Sequence, residues 1–214
     1  MEIQAINTRQ LSRGPLNIKI IKVISPTYFW VHLNPTRRYL EELLEDLTRR
    51  MTRKGRLLRH NPDHVIPNEL VAVCEGRMWQ RGIVVQRERG NMVTVALRDW
   101  GRIIRRPISD MHLLEDQFRE LRWQAIPYGL AHICPVGLRT RWPRRSRELT
   151  RLLLERREGW MRILVSITDK AAVVTLELKR ESEDEMSSLK DLLISMGCAQ
   201  HIDEKIMSTL PGII

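Results

Sequence analysis

Apolar and polar positions alternate along this chain in short runs, and the runs predict strands at both ends and in the middle, with helices between them. "LNIKIIKVISPTYFWVHL" (16–33) reads as two strands joined at Ser25-Pro26-Thr27, a turn signal. A helix follows. Asn34-Pro35 suits its cap and first turn, and Leu40, Leu43, Leu44, Leu47 and Met51 recur at helical spacing to form one apolar stripe. The polar stretch "RHNPDHVIPNE" (59–69) ends that pattern with two prolines. Short strands come next at 70–75, 79–86, 92–98 and 102–106, with Arg89-Gly90-Asn91 as a hairpin turn. So many short strands joined by tight turns predict a small bent barrel.

The last third is mixed. "WQAIPYGLAHICPV" (123–136) is strand-like, and Pro143 opens a helix carrying Leu149, Leu152 and Leu153, with Gly159 beyond its end. "WMRILVSI" (160–167) and "AAVVTLEL" (171–178) form a hairpin around Thr168-Asp169-Lys170. Ser182 and Glu185 make a capping box for a final helix carrying Met186, Leu189, Leu192, Leu193 and Met196, which Gly197 ends. Neither terminal group has enough strands to close a core alone. The two read as halves of one mixed α/β unit, with the barrel between them.

Composition sharpens this picture. The 214 residues are 43% hydrophobic, which suits a folded globular chain. No run approaches the roughly 18 apolar residues needed to span a bilayer, and the N-terminus carries no signal-like apolar region. The initial Met and short ends suggest a small standalone protein. Cys74, Cys134 and Cys198 are far apart, without CxxC spacing; they look buried and imply a reducing, intracellular compartment. The formal charge is +10, and its arginines gather at 49–60, 98–106 and 139–151. Such a balance favours RNA or an acidic protein surface as a neighbour; charge alone does not separate these from a solvated basic face.

Little catalytic chemistry is visible. His60 and His64 have a spacing that suits a metal only on a helix, Pro62 breaks one there, and no nearby cysteine completes a site. His132 and Cys134 share one face of a strand and read as a packing pair rather than a nucleophile and base. Trp30, Trp123 and Trp160 fall in strand patterns and belong to the core, while Trp142, opening a helix, is partly exposed.

"VALRDWGRII" (95–104) places a tryptophan on a strand-ending turn, followed by basic residues. In this context the chain resembles the extended Tudor domain, in which a Tudor barrel is inserted into a split, oligonucleotide-binding (OB) fold similar to staphylococcal nuclease (SN). The resemblance runs from about residue 17 to 203. "VISPTYFWVHL" resembles the family's opening hairpin, V-x-S-P followed by aromatics, and "LEELLEDLTRRM" resembles its linking helix. "VAVCEGRMWQRGIV" resembles the first Tudor strands with their W-Y-R-A, "VALRDWGRII" stands where the family shows F-I-D-Y-G-N, "FRELRWQAIPYGLAHICPVG" resembles the F-x-x-L-P-x-Q-A return segment, and "MGCAQ" the terminal G-L-A. The implied fold is mixed α+β, mainly β: a five-stranded Tudor barrel joined by a long helix to the split OB/SN-like domain. The implied layout is an N-terminal extension at 1–16, the split domain at 17–35 and 118–203, a linker helix at 36–58, the barrel at 66–117 and a tail at 204–214.

Many members of that family hold symmetrically dimethylated arginine in a box of aromatic faces by cation–π attraction, with an asparagine on the guanidinium. Carried over position by position, the four aromatic places fall on Cys74, Gln80, Leu97 and Trp100, and the asparagine place on Arg102; Asp99 and Gly101 keep the turn. Each lost ring forfeits roughly 0.5–2 kcal/mol. Arg102 places a cation where another would sit, a contact costing on the order of 4 kcal/mol at about 4 Å and an effective dielectric near 20. The expectation is a chain that does not bind methylarginine by the usual cage. Trp100 either closes the barrel end against Leu97 and Ile83 or survives as a peptide platform. Arg102 pairs with Asp99 or Glu75, or takes an acidic group from a partner.

The outer fold's likeness to a nuclease raises catalysis, but metal-assisted phosphodiester cleavage needs clustered carboxylates. Glu75, Asp99 and Glu177 are scattered, and "ESEDE" (181–185) reads as a solvated helix start. No enzyme activity, metal or cofactor is expected. By resemblance the chain is a germline adaptor in piRNA-based transposon silencing, cytoplasmic in perinuclear granules (nuage), with a Piwi-class Argonaute or another granule protein as partner and no membrane. The alternative is RNA binding through Arg49, Arg50, Arg53, Lys54, Arg139, Arg141, Arg144 and Arg145; a third reading is a homodimer with no other partner.

Overall fold

The structure is a computed structural model that describes residues 2–179 and 186–203. The Ser182/Glu185 capping box, all of "ESEDE" (181–185) and the tail at 204–214 lie outside the described residues. In chain order the elements are β1 (Leu16–Ser25), β2 (Tyr28–Leu33), α1 (Asn34–Lys54), β3 (Leu70–Glu75), β4 (Met78–Glu88), β5 (Met92–Leu97), β6 (Arg102–Pro107) and β7 (His112–Leu113). They continue with β8 (Ile126–Leu130), β9 (Ile133–Cys134), α2 (Arg144–Leu154), β10 (Glu158–Ser166), β11 (Ala172–Lys179), β12 (Met186–Ser188), α3 (Leu189–Ser195) and β13 (Gln200–His201). No described helix is long and apolar enough to cross a membrane. The described residues divide into two compact units, one of residues 2–5 and 36–125, the other of 6–35, 126–179 and 186–203.

In the first unit five antiparallel strands run in the order β6-β5-β4-β3-β7. Alternation along β5 turns Val93, Val95 and Leu97 inward, where they pack with Val71, Val73, Val84 and Met111. A bulge between Val84 and Gln86 bends β4, as a small barrel requires. On the same strand a Cβ at Gly82 would lie 2.5 Å from Val95 Cγ1, so only glycine lets β5 come this close. The α1 stripe is buried as its spacing predicts: Leu40, Leu44, Leu47 and Met51 pack on Leu70, Ala72 and Ile83. The first residues belong to this core. Ile3 is buried in it, and Ala5 bridges to Trp123.

In the second unit β10, β1, β2, β8 and β11 are hydrogen-bonded in that order, and β10 pairs with β11 to close the ring. β8 and β11 run parallel and the other ring pairs antiparallel. Closure leaves no free edge among these strands, and β12 adds only a short pairing to β11. Ile18, Ile20, Phe29, Val31, Met161, Ile163, Val174 and Leu176 fill the interior.

Several sequence expectations need correction. The run at 123–136 is not one strand. β8 ends at Leu130, and His132 takes a left-handed backbone (φ 55°) before β9. Helix α2 does not seat on Leu152, which is 79% exposed. Its buried line is Ser146, Thr150 and Leu154, with Leu149 and Leu153 half-buried beside it. The small Ser146 donates to the carbonyl of Cys198 at 2.9 Å, a contact a leucine stripe would not predict. Met186 lies in β12 rather than in the last helix, which starts at Leu189 with Ser188 as its cap. Trp160 is 43% exposed, because Gly159, Met161 and Ile163 take the inward positions of β10. Cys74 is exposed, while Cys134 and Cys198 are buried.

Candidate functional site

The turn between β5 and β6 is made by Asp99-Trp100-Gly101. The Trp100 N–H donates to the Leu97 carbonyl at 3.0 Å, and Gly101 takes φ 60°, a left-handed conformation that favours glycine. Asp99 points inward and is buried. Its carboxylate accepts two bonds from Arg81, Nε to Oδ2 at 2.9 Å and Nη2 to Oδ1 at 2.8 Å, and a third from the Gln124 N–H at 3.0 Å. Arg81 is wholly buried. Its Nη1 also donates to the carbonyls of Phe118 (2.9 Å) and Leu121 (2.7 Å), and Nη2 to that of Arg122 (3.3 Å). The guanidinium lies 5.0 Å from the centre of the Trp123 ring. A planar five-donor fork suits this arrangement, and a buried ion pair is tolerable when its remaining groups are bonded. Asp99 therefore does more than keep the turn: through Arg81 it fastens the segment 118–124. Arg81 is the one key residue that the sequence reading passed over. Its signal was present as the arginine of "WQR", in the place of the family's W-Y-R-A.

The five cage positions have distinct environments. Leu97 is fully buried inside the barrel. Gln80 is buried, and its Oε1 accepts from Trp100 Nε1 at 2.7 Å. Trp100 is half-buried and packs on both core clusters, those containing Ile83 and Leu97. Cys74 is exposed, its Sγ 3.7 Å from the Gly76 carbonyl. Arg102 forms an ion pair with Glu75, so of its two suggested carboxylates Glu75 is the partner and Asp99 is bound to Arg81. That pairing neutralises much of the like-charge penalty expected at this position.

The basic candidates divide between the units. Arg49, Arg50, Arg53 and Lys54 end α1, where cations suit the negative pole of the helix. Arg49 pairs with Asp46, and Arg50 grips Glu115 with both Nε (2.6 Å) and Nη2. Hydrogen bonding from Arg50 holds the Glu115 carboxyl below the usual carboxylate range. With Leu43, Gln117 and Phe118 these residues line a cleft of about 530 Å³. Arg139, Arg141, Arg144 and Arg145 are exposed in the other unit, Arg144 paired with Glu148 at 2.6 Å.

The remaining candidates resolve into structural roles. Residues 62–64 form a single 3-10 turn, and His60 lies buried with Nε2 3.6 Å from Glu69. Among the described residues no cluster of three or more His, Cys, Asp or Glu could hold a metal. His132 does not share a strand face with Cys134, because it occupies the left-handed bend and stacks on His201, ring centres 6.1 Å apart. Burial pushes the Cys134 thiol up, the opposite of an activated nucleophile. Trp123 is buried, Trp30 and Trp79 are half-buried, and half-buried Trp142 donates to Thr27 Oγ1 at 2.8 Å.

The fold has close counterparts. The extended Tudor domain TD3 of mouse TDRD1, solved with a MILI peptide containing dimethylarginine, superposes with a TM-score of 0.82 at 15% identity, covering 95% of this chain and 100% of that one. The Drosophila melanogaster Papi extended Tudor domain superposes at 0.77 with 21% identity, covering 88% and 100%. A variant of the Papi domain in complex with a Piwi N-terminal peptide superposes at 0.76 with 20% identity, again covering 88% and 100%. No curated protein sequence matches the chain. At these identities the likeness carries the fold. The Tudor domain model matches residues 15–132, more than half of the sequence. The chain thus has the extended Tudor fold and belongs to the Tudor domain family.

Proposed function

We propose that the chain is a non-catalytic interaction module of the germline piRNA pathway, holding a Piwi-class Argonaute or another granule protein without the methylarginine cage. Complexes of related domains with MILI and Piwi peptides support a protein ligand. The observation that carries the second half is the state of the cage positions. Leu97 is inside the barrel, Gln80 is bonded to Trp100, Arg102 is paired with Glu75, and Cys74 offers no ring. Three absent rings at roughly 0.5–2 kcal/mol each weaken a methylarginine by about ten-fold to 10^4-fold.

Calorimetry with a symmetrically dimethylated arginine peptide and its unmodified twin tests this. The expected result is no micromolar binding that depends on methylation. Micromolar binding of the methylated peptide, abolished by Trp100→Ala, overturns it. A pull-down from germline lysate, repeated with arginine methylation blocked, identifies the partner, which we expect to be retained in both. The corresponding layout is a split OB/SN-like domain (17–35 and 118–203) interrupted in sequence by a barrel at 66–117, acting in perinuclear cytoplasmic granules. RNA is the alternative ligand. Its support is the exposed row Arg139, Arg141 and Arg145, with no ion pair among the described residues. Backbone RNA binding weakens steeply from low to physiological salt, and a flat salt response removes it.

A further inference from the structure

The cleft at the end of α1 is separate from the cage positions and has its own chemistry. Four cations and one carboxylate line it: Arg49, Arg50, Arg53, Lys54 and Asp46. Two of the cations are already answered, Arg49 by Asp46 and Arg50 by Glu115. Arg53 and Lys54 have no ion pair among the described residues, and both are exposed. The helix dipole explains cations in a last turn. It does not explain why the segment carrying Gln117 and Phe118 comes up beside them to make a concavity.

Arg50 builds that concavity. Its two-point grip on Glu115, on the far wall, joins the helix to the 3-10 turn at Asp116–Phe118. Phe118 is 6% exposed and forms an apolar floor with Leu43, while the exposed Gln117 offers an amide at the rim. The cleft therefore combines a fixed wall, two exposed cations, an amide and an apolar floor, in a volume of about 530 Å³, within the range of small ligand sites.

We infer that this cleft is a second docking site, for an acidic peptide whose carboxylates meet Arg53 and Lys54 and whose apolar side chain rests on Leu43 and Phe118. A single-stranded nucleic acid fits less well. Such sites stack bases on exposed rings, and the one ring here, Phe118, is only 6% exposed, which leaves little face for a base. Charge without stacking gives attraction to any polyanion, whereas the apolar floor of Leu43 and Phe118 adds a contact that an aliphatic side chain fills.

The test is fluorescence anisotropy of the whole chain at physiological salt with two labelled probes: a twelve-residue peptide alternating Glu-Asp pairs with leucine, and an oligouridylate of equal length. The chain is compared with Arg53→Glu/Lys54→Glu and with Arg9→Glu/Arg89→Glu, which changes the same charge at exposed positions elsewhere. Circular dichroism melts establish that each variant is folded. Leu43→Asn gives a second reading that does not depend on charge. The inference expects peptide binding that falls at least ten-fold in Arg53→Glu/Lys54→Glu, about three-fold or more in Leu43→Asn, and less than three-fold in Arg9→Glu/Arg89→Glu. Absence of peptide binding, equal losses in both charge-reversed variants, or tighter binding of oligouridylate than of peptide overturns it. None of these outcomes depends on the cage positions, so the site and the methylarginine reading fail separately.

Discussion

Replacing Arg81 by methionine is the sharpest test of how the turn is held. The substitution keeps much of the side chain's length and removes its fork. Five hydrogen bonds disappear, two to Asp99 and three to the carbonyls of Phe118, Leu121 and Arg122. Asp99, 1% exposed, loses both guanidinium bonds while the bond from the Gln124 N–H stays. Breaking a buried pair on one side costs about 3–5 kcal/mol. For a chain of this size that is a fall of roughly 6–20 °C in melting temperature, at about 2–4 °C per kcal/mol. The assay is urea unfolding followed by tryptophan fluorescence, since Trp123 lies against the guanidinium and Trp100 is part of the turn. Arg81→Met/Asp99→Leu removes both members of the pair and should recover part of the loss, because an apolar replacement of both partners is often close to neutral. A loss below 1 kcal/mol in Arg81→Met, or a double variant worse than the single, refutes the assignment of the pair as the clasp on 118–124.

Three further outcomes follow from other contacts. Trp100→Phe strands the buried Gln80 Oε1 and should destabilise by about 1–3 kcal/mol in urea unfolding, and Gln80→Leu added to it should restore part of that. His112, edge-on to Trp79 at 4.8 Å, is held below the usual histidine range by burial, with Arg59 adding to the effect. The unfolded chain then binds a proton that the folded one resists. Stability contributed here is present above pH 6.5 and falls as the pH drops through that value, and His112→Phe should flatten this slope in melts from pH 7.5 to 5.5. A Cβ at Gly159 would lie 2.5 Å from the Glu177 carbonyl oxygen, on backbone that cannot swing away, so Gly159→Ala should cost about 1–3 kcal/mol in thermal unfolding.

Element types were legible where side-chain periodicity matched burial. The α1 stripe, the β1–β2 hairpin and the four barrel strands follow directly from apolar spacing. The failures have one physical source: periodicity reports apolar faces, not the close approach that small or polar residues permit. Helix α2 seats on Ser146 and Thr150 rather than on Leu152 because a serine hydroxyl can bond a neighbouring carbonyl. His132 breaks a run that looks continuous because a left-handed residue leaves no mark in hydropathy. At the site, the tryptophan turn was legible and its clasp was not. An arginine within a strand reads as a surface charge, and only the geometry reveals that Arg81 is spent inward.

The ring of β1, β2, β8, β11 and β10 has a consequence for synthesis. Its first two strands leave the ribosome early, and the strand that completes their pairing, β10, does not begin until Glu158. At roughly 5–20 residues per second, that hairpin waits on the order of ten seconds with its edges unsatisfied. The apolar run it exposes, "LNIKIIKVIS", is interrupted by Lys19 and Lys22, the kind of charge that discourages pairing with a stranger. Replacing both lysines should therefore show first as lost soluble yield rather than as a lower melting temperature.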